Sequence, residues 1–141
     1  MSQPYTNEPY VGTPQGAWRN RLPLAVRRCG DLSSAILMCT TPEMFTTNIR
    51  RAAFESVASK AKLVRSGEDC YAYCMLASGY VDVNIEAEKP YDVQALIPII
   101  EGAGGVITTW DGQSAQNGGA IVACGDPALH KQLVDKLKHA A

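Results

Sequence analysis

The apolar positions of this chain change period along its length. Over residues 80–85 they alternate, with Val81, Val83 and Ile85 at every second place, as a strand with one buried face requires. Over residues 69–78 they crowd into Cys-Tyr-Ala-Tyr-Cys-Met-Leu-Ala, a helix-length run stopped by Gly79. Thr41-Pro42-Glu43 offers a threonine cap and a proline in the first turn, so a helix is expected from there to about residue 60. Another is expected over 93–103, closed by Gly104-Gly105, and an amphipathic one over 127–139. Strands are expected at 10–13, 22–26, 34–39, 61–65, 106–109 and 120–124, with a turn at Pro14-Gln15-Gly16. Strands that alternate with helices from residue 34 onward imply an α/β fold, a layered mixed or parallel sheet flanked by helices. Two parts are expected: residues 1–30 as β hairpins and residues 31–141 as an α/β domain.

Composition narrows the function. The 141 residues suffice for one domain with a real core. A net charge of −1 gives no electrostatic case for nucleic acid or an anionic membrane as partner. The longest apolar stretch, 93–100, is broken by Gln94 and Pro98 and is too short to span a bilayer. The five cysteines are odd in number and sit in apolar or helical runs. They read as reduced core residues of a cytoplasmic protein. No second Cys/His pair stands near Cys70 and Cys74 to complete a zinc site.

Three acidic positions carry the candidate chemistry. Asp92 stands just before an expected helix, where its carboxylate either caps backbone N–H groups or points into a cleft. Glu86 ends an expected strand six positions earlier, so both can lie on the rim of one cleft; a solvated loop carboxylate is the other reading. Asp69 follows Ser66-Gly67-Glu68 and opens a helix, and a glycine turn at a helix start presents free N–H groups to anions. Glu68 reads as solvated surface. His130 and His139 lie nine apart on the last helix and read as surface residues. Gly102-Ala103-Gly104-Gly105 ends a helix and enters a strand, the reverse of a dinucleotide fingerprint, and reads as helix termination and close packing.

The segment from Arg65 to Gly112, with its Asp-Cys-Tyr-Ala-Tyr and Lys-Pro-Tyr-Asp strings, resembles the C-terminal half of the inositol monophosphatase family. These are Mg²⁺-dependent, lithium-sensitive phosphatases of sugar phosphates, and the strings are most similar to the histidinol-phosphate phosphatase branch. The resemblance implies that Asp92, in Tyr91-Asp92-Val93-Gln94-Ala95, ligates Mg²⁺, although Gln94 replaces an alanine of the pattern. It implies that Glu86 and Asp69 lie on the substrate side. The stretch Glu86-Ala87-Glu88-Lys89-Pro90-Tyr91-Asp92 is one residue shorter than the branch pattern, and Glu68 and Glu88 stand where small or apolar residues are usual. The family's Asp-Pro-hydrophobic-Asp-Gly-Thr motif occurs nowhere in the sequence.

The expectation is therefore a portion of a Mg²⁺-dependent phosphomonoesterase acting on histidinol phosphate or an inositol or sugar phosphate. It would be inactive by itself, have the N-terminal half of the family fold as its missing partner, and self-associate through strand edges in residues 8–40. A non-catalytic α/β binding or assembly module is the alternative.

Overall fold

The computed structural model describes all of residues 1–141, and the chain builds two sheets in succession. The first is an antiparallel meander of β1 (Ser2–Gln3), β2 (Glu8–Thr13), β3 (Gly16–Arg19) and β4 (Leu22–Pro23). The second contains β5 (Ile36–Cys39), β6 (Leu63–Ser66), β7 (Val83–Glu88), β8 (Val106–Thr109) and β9 (Gly119–Cys124), in the spatial order β6-β5-β7-β9-β8. Strands β6, β5 and β7 run parallel, and β9 is antiparallel to both β7 and β8. Helices α1 (Asn48–Ala58), α2 (Cys70–Ala77), α3 (Pro90–Val93), α4 (Ile97–Gly102) and α5 (Pro127–Leu137) complete the mixed α/β architecture.

The layers follow from which residues each face must bury. On one side of the main sheet, Met38, Ile107, Ile121 and Ala123 pack under α2 and α4, which are covered in turn by Tyr10 and Ala17 of the meander. On the other side, Leu37, Val83, Ile85 and Val122 pack against Phe54 and Val57 of α1 and Leu129 and Leu133 of α5. Strand β7 is thus covered on both faces. Its alternation of Val83, Asn84, Ile85 and Glu86 does not separate core from solvent, because all four residues are fully buried. Val81, expected on the same face as Val83 and Ile85, packs in the opposite core, since the strand begins only at Val83.

Other elements depart from expectation for local reasons. The helix expected over 41–60 divides into a 3₁₀ turn at Pro42–Met44 and α1. Phe45 turns inward between them to stack on Phe54 (ring centroids 4.9 Å apart) and to meet Trp110 (5.3 Å). Thr47 then restarts the helix, its hydroxyl accepting the Arg50 N–H at 3.2 Å. The helix expected over 93–103 becomes α3 and α4, because Pro98 lacks an N–H and fits only a new first turn. The strand expected over 22–26 stops at Pro23, and β3 was not foreseen. His130, expected at the surface, is 7% exposed, with Nε2 3.1 Å from Thr108 Oγ1. Burial holds its imidazole below the usual value.

Asp82 joins the parts. Its carboxylate is 1% exposed and accepts from Arg27 Nε and Nη2, each at 2.6 Å, and from the Ile36 N–H at 2.7 Å. Its main-chain N–H donates to Ile36 and its carbonyl accepts from Gly125. The meander is seated differently, by bare backbone on backbone. A Cβ at Gly12 would lie 2.2 Å from Pro98 C and O, and one at Gly102 would lie 2.6 Å from Gly16 O.

Gly12→Ala is therefore expected to lift the meander from α4 and to destabilise the chain by about 1–3 kcal/mol or more, the usual range for overpacking. Urea unfolding checks this, with Val11→Ala, on the exposed face of the same strand, changing stability by less than about 0.5 kcal/mol.

Candidate functional site

The carboxyl ends of three parallel strands come level with one another. Cys39 of β5 pairs with Ser66 of β6, and Met38 pairs with Asn84 of β7, so Thr40, Gly67-Glu68-Asp69 and Glu86–Glu88 emerge on one edge of the sheet. Polar ligands of open α/β sheets bind at this edge, where side chains leave the strands and helix starts point inward.

Each acidic residue is held there by a different local device. The turn after β6 is strained: Gly67, Glu68 and Asp69 all have positive φ (111°, 75° and 45°), a region that L side chains avoid. The turn is locked by the Gly67 N–H, which donates to the carbonyls of Cys39 (3.1 Å) and Thr40 (3.0 Å). Asp69 is exposed at the start of α2 and its side chain does not cap the helix. Glu86, one of the two readings of which was a solvated loop carboxylate, is fully buried inside β7. Its Oε1 accepts from the Thr40 N–H at 2.8 Å and from Thr40 Oγ1 at 3.2 Å, while Oε2 has no partner. Asp92 lies within α3 rather than ahead of a helix. It is half-buried, and its Oδ2 accepts a long 3.4 Å bond from the Lys89 N–H, the reciprocal arm of a capping box.

Sequence reasoning missed Glu88, Thr40 and Tyr73. Glu88 sits two residues beyond Glu86 and so on the same face of β7, a spacing that was visible. It is half-buried, near the carboxylates of Asp69 and Asp92, and the Tyr73 hydroxyl faces it. Tyr73 closes the Asp-Cys-Tyr-Ala-Tyr string, which assigns it no role, and Thr40 carried no signal, because only the sheet register and the packing of α2 bring them to Glu86 and Glu88.

No three histidine, cysteine, aspartate or glutamate side chains of the chain converge closely enough to hold a metal ion. The donor chemistry nevertheless suits a hard cation in part. Asp92 is half-buried and presents an Oδ1 that no protein group engages, and a free carboxylate oxygen is a ligand of the type Mg²⁺ takes alongside waters and phosphate oxygens.

A strained turn and a file of carboxylates at the carboxyl ends of parallel strands mark this sheet edge as the candidate site of an α/β protein. The sequence matches the model of the inositol monophosphatase family over residues 1–140, and the chain belongs to that family. It is 38% identical over 151 aligned residues to the bifunctional phosphatase IMPL2, chloroplastic, of Arabidopsis thaliana, a match covering 98% of this chain and 43% of that protein. It is 30% identical over 115 residues to the histidinol-phosphatase of Mycobacterium tuberculosis, covering 81% and 44%. The solved structure of an inositol monophosphatase from Zymomonas mobilis superposes with a TM-score of 0.92 at 31% identity, covering 97% of this chain and 55% of that one. The chain spans about half the length of the relatives it matches.

The electrostatics of the site are set by burial. Loss of water pushes the Glu86 carboxyl from an ordinary 4.5 up to about 8, against the Thr40 donors that favour its charged form and with the Glu88 carboxylate adding to the rise. Burial, together with Asp69 and Asp92, raises Glu88 to about 7. Folding therefore takes up protons that the unfolded chain has already lost between 4.5 and about 8, and stability must fall as pH rises through that window. Glu86→Gln keeps an acceptor for Thr40 and cannot ionise. Urea midpoints measured across the window are expected to decline less steeply in the variant, with the remaining slope due to Glu88. Equal slopes in the two proteins would mean that Glu86 is ionised in the fold.

Proposed function

We propose that this chain supplies the substrate-side wall and one metal ligand of a Mg²⁺-dependent phosphomonoesterase site. The observation that carries the reading is the placement of Asp69, Glu86, Glu88 and Asp92 along one edge of the sheet in a chain of the inositol monophosphatase family. Asp92 would hold Mg²⁺ through its free carboxylate oxygen. When bound, such ions polarise the phosphate and activate the attacking water. Glu86, clamped through Oε1 by Thr40 and carrying a proton near neutral pH, stands on the substrate side of the site, toward a substrate hydroxyl or amine. Asp69 faces the same opening from the strained turn, and the surplus of negative charge favours a substrate that bears a cationic group over an uncharged polyol. The matches to a histidinol-phosphatase and to a solved inositol monophosphatase support histidinol phosphate or an inositol or sugar phosphate as substrate, and a cytoplasmic setting rests on the cysteines reading as reduced. The further carboxylates that such a site needs would come from a counterpart of the rest of the relatives' length, so the 141-residue chain alone is expected to be inactive.

A chimera tests this, with the chain replacing its matched region in the Arabidopsis relative. It is expected to release phosphate from histidinol phosphate or inositol monophosphate only with Mg²⁺. Asp92→Asn should lower turnover at least about 100-fold while leaving the fold intact, since the amide keeps the cap but loses the charge. Wild-type turnover in that variant would reduce Asp92 to a helix cap and favour a non-catalytic binding module.

The same reading includes self-association of the chain. Val11 and Leu22 are 54% and 63% exposed on the meander, beside Pro9 and Trp18, and the outer strands β1 and β4 have two residues each. Apolar surface next to open strand edges favours pairing with a second copy. Sedimentation equilibrium at micromolar concentration should show a dimer or larger species, and a monodisperse 15.2 kDa monomer would refute it.

A further inference from the structure

We propose that Tyr73, Asn84 and Glu86 enclose an internal water, and that this water fastens the free oxygen of Glu86 to the core beneath α2. Five buried side-chain polar atoms of the chain lack a hydrogen-bond partner, and four of them belong to these residues: Tyr73 Oη, Asn84 Nδ2 and Oδ1, and Glu86 Oε2. All three residues are fully buried. Each bare polar atom in a native interior calls for an explanation, and an ordered water is one partner that could serve several of these.

The placement favours one. Asn84 and Glu86 stand on the same face of β7, opposite Ala123 and Ile121 of β9, which belong to the core under α2 and α4. Tyr73 descends from α2 into that core, where its hydroxyl lies by the Glu88 carboxylate, a competing acceptor that is too distant or misaligned to satisfy it, and beside Glu86. Two residues along a strand span about 6.6 Å, and no direct bond joins Asn84 to Glu86 Oε2. A water making two bonds of about 2.8 Å bridges that gap. The chemistry also balances. Tyr73 Oη and Asn84 Nδ2 can donate and Asn84 Oδ1 can accept, while Glu86 Oε2 accepts when ionised and donates when it carries the proton, which provides the two to four partners a buried water needs.

With Thr40 holding Oε1 and the water holding Oε2, the Glu86 carboxyl is fixed from both sides. Tyr73 and Asn84 are then positioning residues for it. Only this role rests on the phosphatase reading; the water site stands without it.

Oxygen-17 relaxation dispersion of the wild-type chain tests the site. We expect a water that exchanges more slowly than the protein tumbles and that is lost in Asn84→Leu, which removes two of the four atoms, and in Tyr73→Phe. Equal dispersion amplitude in the wild type and the folded variants overturns the proposal. If Asn84→Leu does not fold, Tyr73→Phe, which keeps the ring, carries the comparison. Crystallographic density for the wild type decides independently. A water within about 3.2 Å of at least two of the three side chains supports the site, and direct contact among them overturns it. For the positioning role, the ¹³C titration midpoint of the Glu86 carboxyl, with Thr40, Glu88 and Asp69 facing it in every variant, should move to higher pH once a donor to its charged form is removed. An unmoved midpoint overturns the role and leaves the water, and neither result bears on whether Asp92 binds Mg²⁺.

Discussion

The contact on which the rest of this structure depends is the buried carboxylate of Asp82. One side chain takes the guanidinium of Arg27 from the linker and the N–H of Ile36 from β5, while its main chain bonds to Ile36 and to Gly125 after β9. It therefore ties the linker, the two central parallel strands and the turn that launches α5 at a single point. A carboxylate buried this deeply is tolerated only when every strong acceptor position is filled, and three charge-assisted donors fill it. The clamp sits at the amino end of β7, which leaves the carboxyl end free to collect acidic groups whose charges oppose folding.

That division of labour explains the chemistry at the other end. Glu86 and Glu88 are drawn out of water by the packing of α2 over β7, and their carboxyls are pushed toward neutral pH by desolvation before any neighbour is considered. The strained Gly67-Glu68-Asp69 turn adds backbone in an unfavourable region, held in place by two hydrogen bonds to the end of β5. Strain and buried charge at one edge of an otherwise well-satisfied sheet are what a binding site costs a fold. A cation at Asp92 would relieve part of that repulsion, which is the physical link between the acidity of the site and its proposed metal dependence.

The meander is attached by other means. Gly12 and Gly102 allow backbone to lie on backbone, and Tyr71 of α2 reaches across to Glu8, donating at 2.7 Å, while Arg19 pairs with the same carboxylate at 3.1 Å. Its inner face thus completes the core around Tyr10, and its outer face keeps Val11 and Leu22 in solvent.

Much of the fold was legible in the sequence because helix and strand signals are local. The threonine cap, the glycine stops and the order of strands and helices required an α/β sheet, and the Lys-Pro-Tyr-Asp and Asp-Cys-Tyr-Ala-Tyr strings singled out Asp92, Asp69 and Glu86. What stayed hidden depended on partners distant in the chain. Alternation in β7 could not reveal that both faces would be covered, so Asn84 and Glu86 looked solvent-facing until α2 was laid over them. Phe45 breaks a helix because Trp110, 65 positions away, waits beneath it. Thr40 has no local signature at all, and the string that contains Tyr73 does not say what its hydroxyl meets. The sequence by itself determined which residues can bear charge and the order in which strands and helices follow one another. Only the tertiary structure decided which of those charges lost their water, since desolvation is a property of the packed neighbourhood and not of the residue.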